Sequence, residues 1–128
     1  MKKKNSIIIG SGVIGSYLAK FLITKKHNVV VTSRKLKKNY TNYKESNINK
    51  KIKFEKLDVL KKQDILTMIK KYNPDNIFYF SGQSSLTKSI SLKKITNDSN
   101  YIGAKKFLEI LHKHKIKSKF YKANSGYI

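Results

Sequence analysis

The sequence predicts an α/β fold, a Rossmann-type doubly wound parallel sheet of about five strands with flanking helices, and three observations predict it. Short apolar runs of strand length lack polar alternation, which marks strands buried on both faces of a parallel sheet. Longer stretches with helix periodicity separate them, as right-handed crossovers require. No internal repeat and no Pro- or Gly-rich linker interrupts the 128 residues, so residues 1–128 read as one domain, within the usual ~100–150.

Ser6-Ile7-Ile8-Ile9 is a compact apolar run ended by Gly10, the first strand. From Val13 to Ile23, Ile14, Tyr17, Leu18, Phe21 and Leu22 fall at helix spacing, and Lys25-Lys26 closes the pattern with charge suited to a helix C-terminus. Asn28 to Thr32, with three consecutive valines, is the second strand. Residues 34–51 are polar and rich in Asn and Lys, and read as a loop with one weak helical turn. Ile52 to Leu57 forms a third strand. Asp64 to Tyr72 carries Ile65, Met68 and Ile69 on a helix face, stopped by Asn73-Pro74-Asp75. Ile77 to Phe80 is the fourth strand, ended by Ser81-Gly82. Tyr101 to Leu111 is a helix with a stripe of Ile102, Phe107, Leu108, Ile110 and Leu111, and Lys119-Phe120-Tyr121 starts a fifth strand.

Composition excludes several functions. No stretch approaches the ~18 apolar residues of a membrane span, so no membrane partner is expected. The apolar run after the N-terminal lysines is too short for a signal peptide. The absence of Cys rules out a disulfide scaffold, a Cys-based zinc site and thiol catalysis, and fits a cytoplasmic protein. The formal net charge is +22, from 29 Lys+Arg against 7 Asp+Glu. Such a balance is an electrostatic footprint of nucleic-acid binders. Yet 28 of the basic residues are Lys and only Arg34 is Arg, the residue preferred for bidentate recognition. Lys, Ile and Asn supply 55 of 128 residues, which reads as AT-rich coding. Nucleic acid is therefore not the expected partner.

Gly10-Ser11-Gly12-Val13-Ile14-Gly15 is G-x-G-x-x-G, following a strand and opening a helix, the context that gives this loose pattern meaning. Gly10 permits a tight turn, Gly12 lets backbone N–H groups approach a pyrophosphate, and Gly15 lets the helix pack on the strand. The helix N-terminus adds partial positive charge. The expected ligand is a nicotinamide dinucleotide on a Rossmann-like fold. Where an NAD site carries an acid about 20 residues on, this chain has Arg34, between Ser33 and Lys35. A cation there can pair with a 2′-phosphate, so NADP is favoured, with NAD the alternative.

The chain is similar to the N-terminal part of the extended short-chain dehydrogenases/reductases, in the NAD-dependent epimerase/dehydratase family, and most resembles its GDP-mannose 4,6-dehydratase branch. The matching stretches are residues 12–19, Lys56-Leu57-Asp58-Val59, residues 73–79, Ser81-Gly82-Gln83-Ser84-Ser85 and residues 120–125, in the family's order. The resemblance implies a nucleotide-sugar substrate and a lyase that oxidises C4, eliminates water across C5–C6 and reduces C6. A sugar-nucleotide 4-epimerase or 4-keto reductase is the alternative within the family, and a non-catalytic dinucleotide-binding or basic interaction module the alternative outside it. The resemblance also allows a homo-oligomer.

By the same resemblance Asp58 contacts the adenine amino group and Val59 lines the ring. Ser81, Gly82 and Gln83 form the loop under the ribose and diphosphate, and Ser125 is the catalytic hydroxyl that hydrogen-bonds the sugar's 4-oxygen. Three features depart from the family. The glycine motif is one residue shorter between its first two glycines than the usual G-x-x-G-x-x-G. Tyr127 stands where the dehydratases commonly have a Glu that serves as base for water elimination. The family's Tyr-x-x-x-Lys pair lies downstream of Ser125, and the sequence reaches Ile128. Tyr40 to Lys44 does not serve, because it falls in the wrong part of the fold. The expectation is a domain truncated before that pair and before the sugar-nucleotide domain, inactive by itself.

Other candidates have simpler readings. His112 and His114, two apart, share no helix face and make no metal site. Lys113, Lys115, Lys117 and Lys119 beside Phe120 and Tyr121 belong to a strand and its approach rather than to a nucleic-acid patch. Asp64 is a first-turn charge favouring the helix dipole.

Overall fold

The structure, a computed structural model, describes residues 3–10, 13–33, 52–80 and 102–122. Five strands and three helices occupy these segments: β1 (Asn5–Ile9), α1 (Val13–Thr24), β2 (Asn28–Ser33), β3 (Ile52–Lys56), α2 (Lys62–Tyr72), β4 (Asn76–Tyr79), α3 (Gly103–Lys113) and β5 (Lys119–Lys122). The strands form one sheet in the order β3-β2-β1-β4-β5, every pairing parallel. This is the doubly wound, Rossmann-like arrangement that the apolar runs predict. Residues 34–51, read as a loop, lie outside the described residues.

Both faces of the sheet are apolar. Toward α2 and α3 it contributes Ile7, Ile9, Val30, Ile77 and Tyr79 to a core that includes Ile65, Met68, Phe107, Ile110 and Leu111. Toward α1 it contributes Ile8, Val29, Val31 and Ile52, with Ala19 and Leu22 from the helix. Ile7 and Ile8 are both 0% exposed although they point to opposite faces. Full burial of one such side chain stabilises by roughly 1.5–3 kcal/mol.

All three helices end in a residue with left-handed backbone, and none of these is glycine. Lys26 has φ 62°, Asn73 φ 45° and Lys115 φ 53°. At α1, His27 N–H donates to Leu22 O at 3.0 Å and Lys26 N–H to Ile23 O at 2.9 Å. At α3, Ile116 N–H donates to Leu111 O at 2.9 Å and Lys115 N–H to His112 O at 3.2 Å. Each pair of bonds is the Schellman closure, whose turning residue is usually Gly. The Lys25-Lys26 pair thus does more than supply charge. The last turn of α1 contains no basic residue, and the two lysines build the turn that follows it. Asp64 lies in the first turn of α2, as the sequence suggests.

Candidate functional site

The strand order reverses between β1 and β4, and in open α/β sheets ligands bind beyond the strand C-termini at such a point. Here the ladder runs a residue past each strand end. Gly10 N–H donates to Thr32 O at 2.9 Å, Phe80 N–H to Ile9 O at 2.8 Å and Leu57 N–H to Ser33 O at 2.9 Å. These bonds bring Gly10, Phe80, Ser33 and Leu57 to one edge of the sheet. Three buried isoleucines, Ile7, Ile8 and Ile9, anchor the approach to Gly10 in the core.

Gly10 has φ 112°, a backbone that a Cβ would strain. It turns the chain so that α1 starts at Val13. Val13 and Ile14 therefore supply first-turn N–H groups, which have no partner within the helix. No acidic side chain stands in that turn to neutralise its positive end. Gly15 and Ser16 are buried one turn along.

Ser33 closes β2 and is half-buried. Asp58 follows β3 by two residues. Its Oδ1 accepts from Leu60 N–H at 3.0 Å, and its carbonyl accepts from Lys61 N–H at 3.0 Å. The carboxylate thus pins the turn into α2 through one oxygen. Val59 faces inward and is 7% exposed. Ser11, Gly12, Arg34, Ser81, Gly82, Gln83 and Ser125, all read as site residues from the sequence, lie outside the described residues. So does Tyr40 to Lys44. Tyr101 and Lys105 have the Tyr-x-x-x-Lys spacing too, but they precede β5. Tyr101 is outside the described residues and Lys105 is exposed.

Two features escape the sequence reading. Gly103, the first residue of α3, packs so closely that an added Cβ would meet the Tyr79 hydroxyl and stand 2.7 Å from Val59 Cγ2. The turn carrying Asp58 and Val59 is thereby wedged against β4 and α3. A glycine inside an apolar helical pattern is the signal that could have found it. The second feature is a polar cluster on β3 and α2. The Tyr72 hydroxyl donates to Glu55 Oε1, and Lys71 Nζ lies 3.2 Å from the same oxygen. The Tyr72 hydrogen bond chiefly, and then Lys71 and Lys53, hold the Glu55 carboxyl below its ordinary range against the opposing effect of burial. Burial and Glu55 push the Tyr72 phenol up. Nothing local in the sequence links residues 55 and 72. A cleft of about 520 Å³ runs from this cluster to Asp58, lined also by Lys56, Lys61 and Thr67. Among the described residues no three His, Cys, Asp or Glu stand close enough to hold a metal ion. No described helix is long and apolar enough to cross a membrane.

A glycine turn at the switch point of a parallel sheet, opening a helix, defines a Rossmann-like domain. A family model described as GDP-mannose 4,6 dehydratase matches residues 7–127, and the chain belongs to that family. It is 30% identical over 103 residues to dTDP-glucose 4,6-dehydratase of Haemophilus influenzae, covering 79% of this chain and 30% of that protein. It is 26% identical to GDP-mannose 4,6-dehydratase of Vibrio cholerae serotype O1, covering 98% of this chain and 36% of the relative. The fold matches the structure of UDP-glucose 4-epimerase from Brucella ovis in complex with NAD, with TM-score 0.74 and 18% identity, over 93% of this chain and 35% of that one. The chain thus spans about a third of the length of the curated relatives it matches.

Proposed function

We propose that this chain is the NADP-binding portion of a nucleotide-sugar 4,6-dehydratase that acts on GDP-mannose. One observation carries the reading: Gly10, at φ 112°, leads to the N-terminus of α1, whose first turn carries no acidic residue, at the point where the strand order reverses. Those residues fit a dinucleotide. The Gly10 turn and the first-turn N–H groups of Val13 and Ile14 take the diphosphate, and Gly15 lets α1 seat against the sheet. Asp58, whose Oδ1 accepts from Leu60 N–H, accepts from the adenine amino group at the mouth of the charged cleft. Arg34, next after Ser33 at the end of β2, pairs with the 2′-phosphate and sets the preference for NADP. Ser81, Gly82 and Gln83 pass under the ribose.

A bound nicotinamide supplies reversible hydride storage for oxidation at C4 and reduction at C6. The part of the reaction assigned to this chain is to bind and orient that cofactor, and to hold the sugar's 4-oxygen through the Ser125 hydroxyl. Proton transfer from that oxygen needs a further group, the Tyr-x-x-x-Lys pair that the family resemblance implies downstream, so the 128 residues alone bind cofactor without turnover. Tyr127 in place of the dehydratases' Glu favours a second reading, a 4-epimerase or 4-keto reductase of the same family.

Calorimetric titration of NADP⁺ and NAD⁺ into the purified chain tests the cofactor assignment. The expected result is saturable binding of both, tighter for NADP⁺, with the preference abolished in Arg34→Ser. Equal or absent binding of the two dinucleotides removes the NADP assignment. Adding GDP-mannose to the NADP⁺-saturated chain is expected to give no dehydrated sugar nucleotide, read as the absence of a product lighter by one water in mass spectrometry.

A further inference from the structure

The lysines of this chain are not spread evenly over its surface. Each helix returns the chain to the N-terminal edge of the sheet, opposite the Gly10 turn, and each return carries exposed lysines. They are Lys25 and Lys26 after α1, Lys70 and Lys71 in the last turn of α2, and Lys113 and Lys115 at the end of α3. Backbone bonds bring two more to this edge: Asn28 N–H donates to Lys4 O at 2.9 Å, and Lys119 N–H to Asp75 O at 2.9 Å. The lysines before β5, read from the sequence as the approach to a strand, thus belong to one of three basic turns on a shared edge. Among the described residues Asp75 is the one acid there, and its Oδ2 accepts from Asn5 N–H at 2.8 Å.

AT-rich coding accounts for the abundance of lysine, but it does not account for two of these positions. Lys26 and Lys115 hold left-handed backbone, at φ 62° and 53°, which a residue with a Cβ disfavours. Asn is written with codons as AT-rich as those of Lys and tolerates that backbone better. It takes the same place after α2, as Asn73 at φ 45°. A cation beyond a helix end does favour the dipole, yet Lys25 and Lys113 already supply one. Positive charge at the turn is what Lys offers and Asn lacks.

We infer that this edge binds the phosphodiester backbone of a nucleic acid without reading its sequence. The five strands, about 4.8 Å apart, spread the turns over roughly 20 Å. A duplex carries a phosphate per ~3.4 Å on each strand, so several come within reach. Ammonium groups bind phosphate as point charges, whereas bidentate recognition is the preference of Arg. Between the lysines stand Asn5, Asn28 and Asn76. Each gives one amide hydrogen to an internal bond, to Tyr72 O, Asn5 Oδ1 and Ser6 Oγ respectively. Each has a second to give to phosphate or sugar. A row of amides suits a nucleic acid rather than a lipid surface, which takes apolar side chains. The edge is the far one from the dinucleotide site, and the inference does not rest on that site.

The test is fluorescence anisotropy of a labelled, mixed-sequence DNA duplex of about 20 base pairs, titrated with the purified chain across a salt series. Binding is expected at low salt, with the logarithm of affinity falling linearly in the logarithm of salt concentration. Lys26→Asn combined with Lys115→Asn keeps both left-handed turns and removes two charges. It should weaken binding at least about tenfold at ~0.1 M salt and make the slope shallower by about 2. Lys20→Gln combined with Lys105→Gln removes the same charge from exposed sites within α1 and α3, and should leave the slope unchanged. Unchanged circular dichroism shows that both variants keep the fold. No binding of the duplex, equal weakening in the two variants, or loss of the chain to phosphatidylserine vesicles in competition would each overturn the inference. Saturating NADP⁺ should leave the duplex affinity unchanged. Displacement of the duplex by NADP⁺ would place it at the Gly10 edge, overturning this inference while upholding the cofactor reading.

Discussion

The face of the sheet under α2 and α3 and the face under α1 are made of the same residue types, yet they do different work. The first is closed: Phe107 is 0% exposed and meets Tyr79 edge-on at 5.7 Å and Phe120 at 6.0 Å between ring centroids. The second is closed only over β1 and β2 and opens toward β5. The lesson is that apolar sequence reports a face that is meant to be covered, and does not say what covers it.

Breaking the closed face should cost most. Phe107→Ala removes the ring at the centre of the larger core and is expected to destabilise by about 3–5 kcal/mol, read as a lowered midpoint in urea unfolding. Gly103→Ala comes next. Its Cβ would press on Val59 and the Tyr79 hydroxyl, and overpacking of this kind costs roughly 1–3 kcal/mol. If the wedge positions the Asp58 turn, the same variant weakens NADP⁺ binding. Lys115→Gly, beyond the end of α3, acts in the opposite direction. Relief of a left-handed lysine should stabilise by about 0.5–1 kcal/mol, the typical cost of that backbone less the added freedom of the unfolded chain. Lys26→Gly should do the same at α1.

Smaller effects mark the surface. Glu55 has a folded pKa held below its unfolded value. Its contribution is therefore present above the unfolded pKa and is lost as pH falls through the depressed one. Glu55→Gln should flatten that acid limb, and because the pair is largely solvated the loss near neutrality stays below about 1 kcal/mol. Smallest of all is Tyr121→Ser on the open face, within about 0.5 kcal/mol for the isolated chain. A loss as large as that of Phe107→Ala would show that the two faces are equally closed.

Much of this fold was legible in the sequence. Ile7-Ile8-Ile9 and Val29-Val30-Val31 lack alternation because both faces of β1 and β2 are buried, and that pattern alone separates a parallel from a half-solvated sheet. Ile65, Met68 and Ile69 announce the inward face of α2 through spacing. Gly10 was legible because its conformational need is local, a turn between a strand and a helix. The Glu55–Tyr72 bond was not, since it joins residues 17 apart through the packing of α2 on β3. Lys26 and Lys115 were misleading in a physical sense: glycine is the usual turning residue at a helix end, and in a chain with 6 Gly and 28 Lys the lysines take that position at a cost in backbone energy. Val59 packs against Gly103, far along the chain, a contact that the spacing around Val59 does not announce.

The central claim is that the C-terminal edge of β1, β2 and β3 is the dinucleotide site, and amide-resolved NMR titration with NADP⁺ addresses it most directly. The account predicts that the largest shift changes fall at Gly10, Val13, Ile14, Ser33 and Asp58, with little change at Asn5, Asn28 and Asn76 at the opposite ends of the strands. Shifts concentrated at those asparagines, or none at Gly10 under saturating NADP⁺, would contradict it.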